Sequence, residues 1–583
     1  MAGRRRIMLI LALVLAVTVG VGWDACRPEP PPPGERLLSY VPADTAFFAG
    51  MTQAASTPQV GAGSGFYRYL LGRVGTDASA VSAAHGPAAG IVAALLQAQR
   101  AAVERGARPF SIHGLPVDAV VAAYTVGQSP VLRWELAEPR RFWRAVDEAE
   151  RRAGASAPTE WRESHALRRY PLDVPGASLQ LVLATGEDFA LVALHAPGDE
   201  RADLDEILGE ERPAEPIDRA LLDDLTRSYG LVPGSASFVD NERLFTPLAD
   251  DPSASLLGRV GRIVGAAEIR LHPWLAALGT AGCRELLELL PEFWARTVVG
   301  MTGSQPAVGR VDHRIVFESP HQRGLAAIET LEGRIPALAQ APETVLGFGI
   351  GLDVSEWMTR EPGNEPAGDK QRQSEADATR SECSPIAALQ APGDARGNAP
   401  ALQRLLVEAE GAGLSVFRVP PEGGRGRRPG VASAVMLSTS EPAQARAALW
   451  EIAGLDRRPA VRGPGSGPWQ SIRRSSDEAP GDGLLLSEAP LVLAQPPAGT
   501  DEAAAAHALV AFRYRHGLDA RAVMSALDPW LAPLAERQRE ALRNGVAVLQ
   551  RLPFDLDVEV RVGERGVEFD LAIAPAQPGA VRR

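Results

Sequence analysis

Acid–base or metal chemistry in this chain would have to be built from nine histidines: His85, His113, His165, His195, His272, His313, His321, His507 and His516. No two of them have the spacing of an H-E-x-x-H zinc helix, so no zincin pair is encoded. G-x-S-x-G is absent as well, which removes the nucleophile elbow, and no EF-hand spacing occurs. GAGSGF at Gly61–Phe66 is glycine-rich but lacks the third glycine of a dinucleotide loop. His313 and His321 flank the end of an expected strand and are candidates for a ligand or a base; the competing reading is ordinary strand and surface histidines.

Asp555, Asp557, Glu559, Glu568 and Asp570 are expected on one face of a hairpin, with Arg561 among them. Several oxygens on one face suit a hard cation such as Ca²⁺. The spacing of strands favours a solvated, Arg-partnered sheet face instead. Trp274 and Trp530 are candidates to line a ligand groove, or to pack at a helix start behind proline. Arg425, Arg427 and Arg428 form a basic loop tip, open to an anionic lipid or polymer or simply to water.

Composition narrows the chemistry further. The single lysine, Lys370, lies in the polar stretch GDKQRQSEADATRSE, which supports neither a P-loop lysine nor a Schiff base. A net charge of −12 excludes the broad basic footprint that nucleic acid demands. Cys26, Cys283 and Cys383 are too few for a disulfide framework or a zinc cluster; a Cys283–Cys383 bridge competes with a buried, apolar Cys283. No cofactor is expected, and the catalytic residues, if there are any, are not identified by motif.

The elements that would position these residues read as two similar halves. LHPWLAAL (Leu271–Leu278) returns as LDPWLAPL (Leu527–Leu534). Pro42, Asp44 and Thr45 make a turn before an apolar strand at Ala46–Met51, and Pro342, Glu343 and Thr344 precede another. VAAYTVGQSPVLRWELAEPRRFW runs through Glu138-Pro139 into an amphipathic helix, as SAVMLSTSEPAQARAALW does through Glu441-Pro442. Each half ends in a hairpin: the noisier AVGRVDHRIVFES, and PFDLDVEVRVGERGVEFDLAIA, with Phe554, Leu556, Val558, Val560 and Val562 alternating with polar residues. The expected fold is therefore α+β: two tandem pseudo-repeated halves, about 36–330 and 335–583, each an antiparallel sheet with helices on one face. One continuous sheet shared by both halves is the alternative. Extra material in the first half is expected at Ala98–Pro109 or Gly198–Pro216, and a disordered insertion at about 361–400.

The amino terminus places the chain. Arg4–Arg6 precede an apolar run from Ile7 to Val21, so residues 1–26 read as a signal peptide or signal anchor, forming an N-terminal hydrophobic helix. Retention as an anchor competes with cleavage near Gly20 and Gly22 and with lipidation at Cys26. Residues 27–35 then form a proline-rich spacer.

YVPADTAFFAG (Tyr40–Gly50) resembles the opening of a family of uncharacterised exported proteobacterial proteins that begin with a Y-x-P-A-D-T-x-x-x-F stretch. The resemblance implies an envelope location and carries no activity and no site residues. The expectation is a periplasmic protein tethered to the inner membrane, binding or scaffolding an envelope protein or an apolar ligand. An envelope hydrolase with a site assembled from dispersed histidines and acids, and a carrier of apolar ligands, are the alternatives.

Overall fold

The computed structural model describes residues 32–53, 82–83, 86–105, 113–116, 119–174, 177–197, 203–250, 255, 290–305, 309–333, 335, 344–351, 409–419, 430–439, 508–516, 522–525, 527, 536–550, 552 and 554–575. The leader and most of the spacer, the tryptophan-bearing octapeptides apart from Leu527, the 361–400 insertion, Lys370, the three cysteines and the 425–428 arginines lie outside them. Among the described residues no helix is long and apolar enough to cross a membrane.

The chain is α+β, organised on a large antiparallel sheet. Its strands are β1 (Phe47–Met51), β2 (Val121–Val126), β3 (Ser129–Glu135), β4 (Glu160–Arg162), β5 (His165–Val174), β6 (Ala177–Thr185), β7 (Phe189–His195) and β8 (Ser237–Asp240). They continue with β9 (Arg296–Gln305), β10 (Arg310–Glu318), β11 (Thr344–Ile350), β12 (Ala409–Val419), β13 (Gly430–Thr439), β14 (Val510–Tyr514), β15 (Phe554–Gly563) and β16 (Gly566–Pro575). All sixteen join one sheet in the order β13-β12-β11-β14-β15-β16-β10-β9-β8-β1-β2-β3-β7-β6-β5-β4. Read outward from the β10/β16 seam, β10-β9-β8-β1-β2-β3 on one side has the same connectivity as β16-β15-β14-β11-β12-β13 on the other. The seam is an antiparallel ladder from Val311↔Ile573 to Glu318↔Gly566.

The expected separate sheets are thus corrected: the strands form one continuous sheet, the arrangement weighed as the alternative. Helices on one face only is corrected as well. Helices α1 (Pro33–Leu38), α4 (Leu204–Leu208) and α5 (Arg219–Ser228) cover one face of the β2–β7 region, burying Tyr124, Val131, Val182, Ala184, Leu191 and Ala193. Helices α2 (Pro87–Glu104) and α3 (Pro139–Ala153) cover the other, over Trp134, Tyr170, Leu181, Leu183 and Ala190. Leu181, Val182, Leu183 and Ala184 therefore alternate between two cores. That explains why LQLVLAT is a continuous apolar run rather than an alternating one.

Local chemistry sets the elements. In α3, Pro139 takes the first turn, and Phe142, Val146, Ala149 and Ala153 line the buried stripe. Gly154 then ends the helix with a left-handed φ of 64°. In the first half, α2 overlaps the expected 98–109 region, α4 falls within 198–216, and the unanticipated strands β4–β7 form between α3 and α4. The turn before β1 forms as expected and is locked by two buried hydroxyls. Thr45 Oγ1 donates to Phe47 O (2.7 Å) and accepts from Thr125 N (2.8 Å), while Thr125 Oγ1 accepts from Ala46 N (2.7 Å).

Thr45→Val keeps the shape but leaves the buried Thr125 N–H without this acceptor, so stability should fall by about 1–3 kcal/mol in a denaturant titration. A loss below about 0.5 kcal/mol, the level of an ordinary surface substitution, would show that the hydroxyl lock is dispensable.

Candidate functional site

Two polar clusters stand out among the described residues. The first is the charged face at the β10/β16 seam. Alternation along β10, β16, β15 and β14 puts Asp312 and Arg314, Glu568 and Asp570, Asp557, Glu559 and Arg561, and Arg513 on one side. Asp312, Arg314, Arg513, Asp557, Glu559 and Asp570 line a shallow depression of about 420 Å³. Arg314 grips Asp570 with two bonds (Nε–Oδ1 2.7 Å, Nη2–Oδ2 3.1 Å) and reaches Glu568 at 3.5 Å. Arg561 bonds Asp570 from the neighbouring strand and approaches Glu559 at 3.4 Å. Asp557 is held between Arg513 (2.7 Å) and Arg515 (2.9 Å), and Asp555 accepts from the His516 backbone N–H (2.7 Å).

The five carboxylates singled out from sequence are thus brought onto one sheet: Asp557, Glu568 and Asp570 pair with arginines, Asp555 accepts from a backbone N–H, and Glu559 lies within ion-pair distance of Arg561. Among the described residues no group of His, Cys, Asp and Glu could hold a metal ion, so the Ca²⁺ reading gains no support here. Burial pushes the Asp570 carboxyl up, but the hydrogen bonds and charges of Arg314 and Arg561 outweigh it and leave its pKa below the usual aspartate value. The expectation of a wet polar face is corrected in degree. Arg314, Glu568 and Asp570 are only about a fifth to a quarter exposed, because bidentate arginines lie flat across the strands.

The second cluster is buried beneath α4. Arg133, 1% exposed, donates to Tyr124 Oη (3.0 Å) and to the carbonyls of Ile207 (2.7 Å) and Leu208 (3.1 Å). It satisfies the last carbonyls of α4 with a cation, where the helix end is negative. The Tyr40 ring is sandwiched, with Arg133 at 3.9 Å and Arg212 at 3.4 Å from its centroid. Gly209, at a φ of 80°, lets the chain turn past this stack; a Cβ there would lie 2.4 Å from the Tyr40 ring. Beside them, His165 Nδ1 lies 3.3 Å from Glu210 Oε1 and 3.3 Å from Ser164 Oγ.

Ser164, His165 and Glu210 are the residue types of a hydrolytic triad, but the geometry is not one. A triad uses both ring nitrogens, one toward the acid and one toward the nucleophile. Here both contacts fall on Nδ1, and Nε2 is packed against Gly186, where a Cβ would come within 2.7 Å. Burial lowers the His165 pKa, against the opposing pull of Glu210.

The other histidines are dispersed. His313 lies within β10, on the opposite face from Arg314, with its pKa lowered by burial and raised in part by Asp312. His321 precedes α6 (Gln322–Glu329) and packs on Phe293 at 5.0 Å; the two are not brought together. His113 is buried, and burial lowers its pKa to about 4. His516 Nδ1 is 2.7 Å from Leu552 O, and His195 is buried in β7. His85, His272, His507, Trp274 and Trp530 lie outside the described residues.

Negative charge gathers elsewhere, around a cleft of about 1070 Å³ bordered by Asp44, Glu206, Glu215, Glu242 and Asp250 with Arg243. Burial, then repulsion from Glu211, Asp203 and Asp44, raises the Glu206 pKa. Sequence reading missed Arg133, Tyr40, Glu210 and this cleft. The one available signal was Arg133 inside the otherwise apolar strand VLRWEL, a charge that burial obliges to find partners. No protein-family model, no curated protein and no solved structure matches this chain.

Arg314→Met and Asp570→Asn should each cost about 1–3 kcal/mol, and the double variant less than their sum, because each single change strands its buried partner. The depressed Asp570 carboxyl contributes stability that is present above the unfolded value near about pH 4 and is lost as pH falls through the lower folded value. Denaturant titrations from neutral to acid pH should therefore lose stability more steeply below about pH 4 in the parent than in Asp570→Asn. Additive effects would refute the pairing.

Proposed function

We propose that the chain is a non-catalytic binding or scaffold protein of the cell envelope, tethered to the inner membrane by its amino-terminal segment and facing the periplasm. The observation that carries the reading is the seam: charges that could serve an active site are instead tied into ion pairs across strands distant in sequence, as Arg314 is to Asp570. That arrangement suits a rigid platform. Arg4–Arg6 before the apolar run Ile7–Val21 supports export, and the resemblance of Tyr40–Gly50 to exported proteobacterial proteins agrees with it.

The platform is best understood as an internal duplication, with one copy at about 36–330 and the other at about 335–583. The shared connectivity on the two sides of the seam supports this, as do the paired octapeptides Leu271–Leu278 and Leu527–Leu534. The hydrolase alternative centres on Ser164, His165 and Glu210, and their convergence on a single ring nitrogen argues against it.

The test pairs a topology reporter fused after Arg583 with in-cell crosslinking and mass spectrometry. The expected result is reporter activity only outside the cytoplasm, with crosslinks to defined envelope proteins that diminish in Arg314→Met. A reporter active only in the cytoplasm would overturn the location. A hydrolytic activity of the purified chain that disappears in His165→Ala and Ser164→Ala would overturn the non-catalytic reading.

A further inference from the structure

A second depression, away from the seam, has the form of a ligand site. In register, Trp161 of β4 faces Ala166 of β5, and Ala166 faces Thr185 of β6, so the three form one row on the α3 side of the sheet. Two strand spacings, about 10 Å, separate Trp161 from Thr185. At the Thr185 end stands a second indole: Trp143 of α3 donates its Nε1–H to Thr185 Oγ1 at 3.0 Å. Phe142 packs edge-on to Trp143 at 5.1 Å, and Arg168 lies 5.0 Å from its ring centroid, so the indole is held in place. The result is a cleft of about 490 Å³ with a small-residue floor and an indole at each end.

Trp161 is 76% exposed, far more than an edge strand needs from its largest apolar residue. The rim carries Arg140 and Arg144, one helical turn apart on α3 and both lining the cleft. Their neighbours Arg141, Arg151, Arg152 and Arg168 are tied to carboxylates, whereas among the described residues Arg140 and Arg144 form no ion pair. Asp147, which also lines the cleft, accepts a bond from Arg168 and keeps acceptor capacity. Stacking faces, two available cations, a hydroxyl-bearing floor and one acceptor describe a ring that is apolar on its faces, hydroxylated at its edge and negatively charged.

We propose that this cleft binds an acidic saccharide: a carboxylate-bearing pyranose stacks against Trp161, its carboxylate meets Arg140 and Arg144, and its hydroxyls meet Thr185, Ser164 and Asp147. A membrane surface fits the site less well. Trp143 is partly buried and hydrogen-bonded to Thr185, so it is not free to insert into a bilayer. The site stands apart from the seam and does not depend on the scaffold reading.

Calorimetric titration of the full chain with a trisaccharide of galacturonic acid tests it, beside the fully methyl-esterified trisaccharide and anionic phospholipid vesicles. The acidic trisaccharide should bind, and Trp161→Ala should weaken it about tenfold, as expected for loss of one stacking platform. The double variant R140Q/R144Q should weaken it by about tenfold too and flatten its salt dependence. The methyl ester should bind the parent no better than the acid binds R140Q/R144Q, and Arg314→Met at the seam should leave binding unchanged. Trp161, Arg140 and Arg144 are surface residues, so their variants retain the fold, which circular dichroism verifies. No binding of the acidic trisaccharide, unchanged binding by Trp161→Ala, equal binding of the methyl ester, or binding to vesicles alone would each overturn the proposal.

Discussion

The pairing of β10 with β16 is the constraint on which the rest of the structure depends. It joins residues 256 apart in sequence at Arg314 and Asp570, and without it the sheet would divide into two smaller sheets with raw edges. An open edge is a row of unpaired backbone donors and acceptors, a template for wrong pairing. Joining the two edges removes both at once. The cost is a long loop closure, which slows folding more than it weakens the folded state. Cross-strand arginine–carboxylate pairs are well suited to such a join, because their two-pronged geometry rewards one register and penalises a slip by one residue.

The distribution of charge follows from that constraint. Charges at the seam neutralise one another and specify alignment. The deeply buried Arg133 has a different task, closing the carboxyl end of α4 and clamping Tyr40 within the loop that carries Gly209. Tyr40 and Thr45, both within YVPADTAFFAG, are occupied by packing and turn formation. That part of the chain fixes the start of β1. Among the described residues, acids crowd around Glu206, and Arg140 and Arg144 form no ion pair.

Much of the architecture was legible in the residues. Alternation in PFDLDVEVRV foretold β15, the turn residues Gly563–Gly566 foretold its return as β16, and Glu138-Pro139 marked the start of α3. Strands β6 and β7 were not, because burial on both faces erases the period-two signal and leaves a plain apolar run that also suits a buried helix. The single sheet stood only as the alternative for a related reason. Nothing local in RVDHRIVFE or GVEFDLAIA states that they are neighbours; their register is fixed by long-range pairing. The site residues were legible in type and not in relation: the acids at 555–570 could be placed on one face, but Arg314 and Arg513, which hold them, come from other strands. Trp161 reaches the vicinity of Trp143 only through the β4–β5–β6 ladder, a relation no spacing encodes.

The most direct measurement is hydrogen exchange by mass spectrometry under increasing denaturant, comparing peptides from β9 and β10 with peptides from β15 and β16. A sheet joined at the seam predicts that these four strands open together, with one exchange free energy and one denaturant dependence, and that Asp570→Asn lowers all of them by the same amount. Opening of β15 and β16 at lower denaturant while β9 and β10 stay protected would contradict the claim that the two sides form a single structural unit.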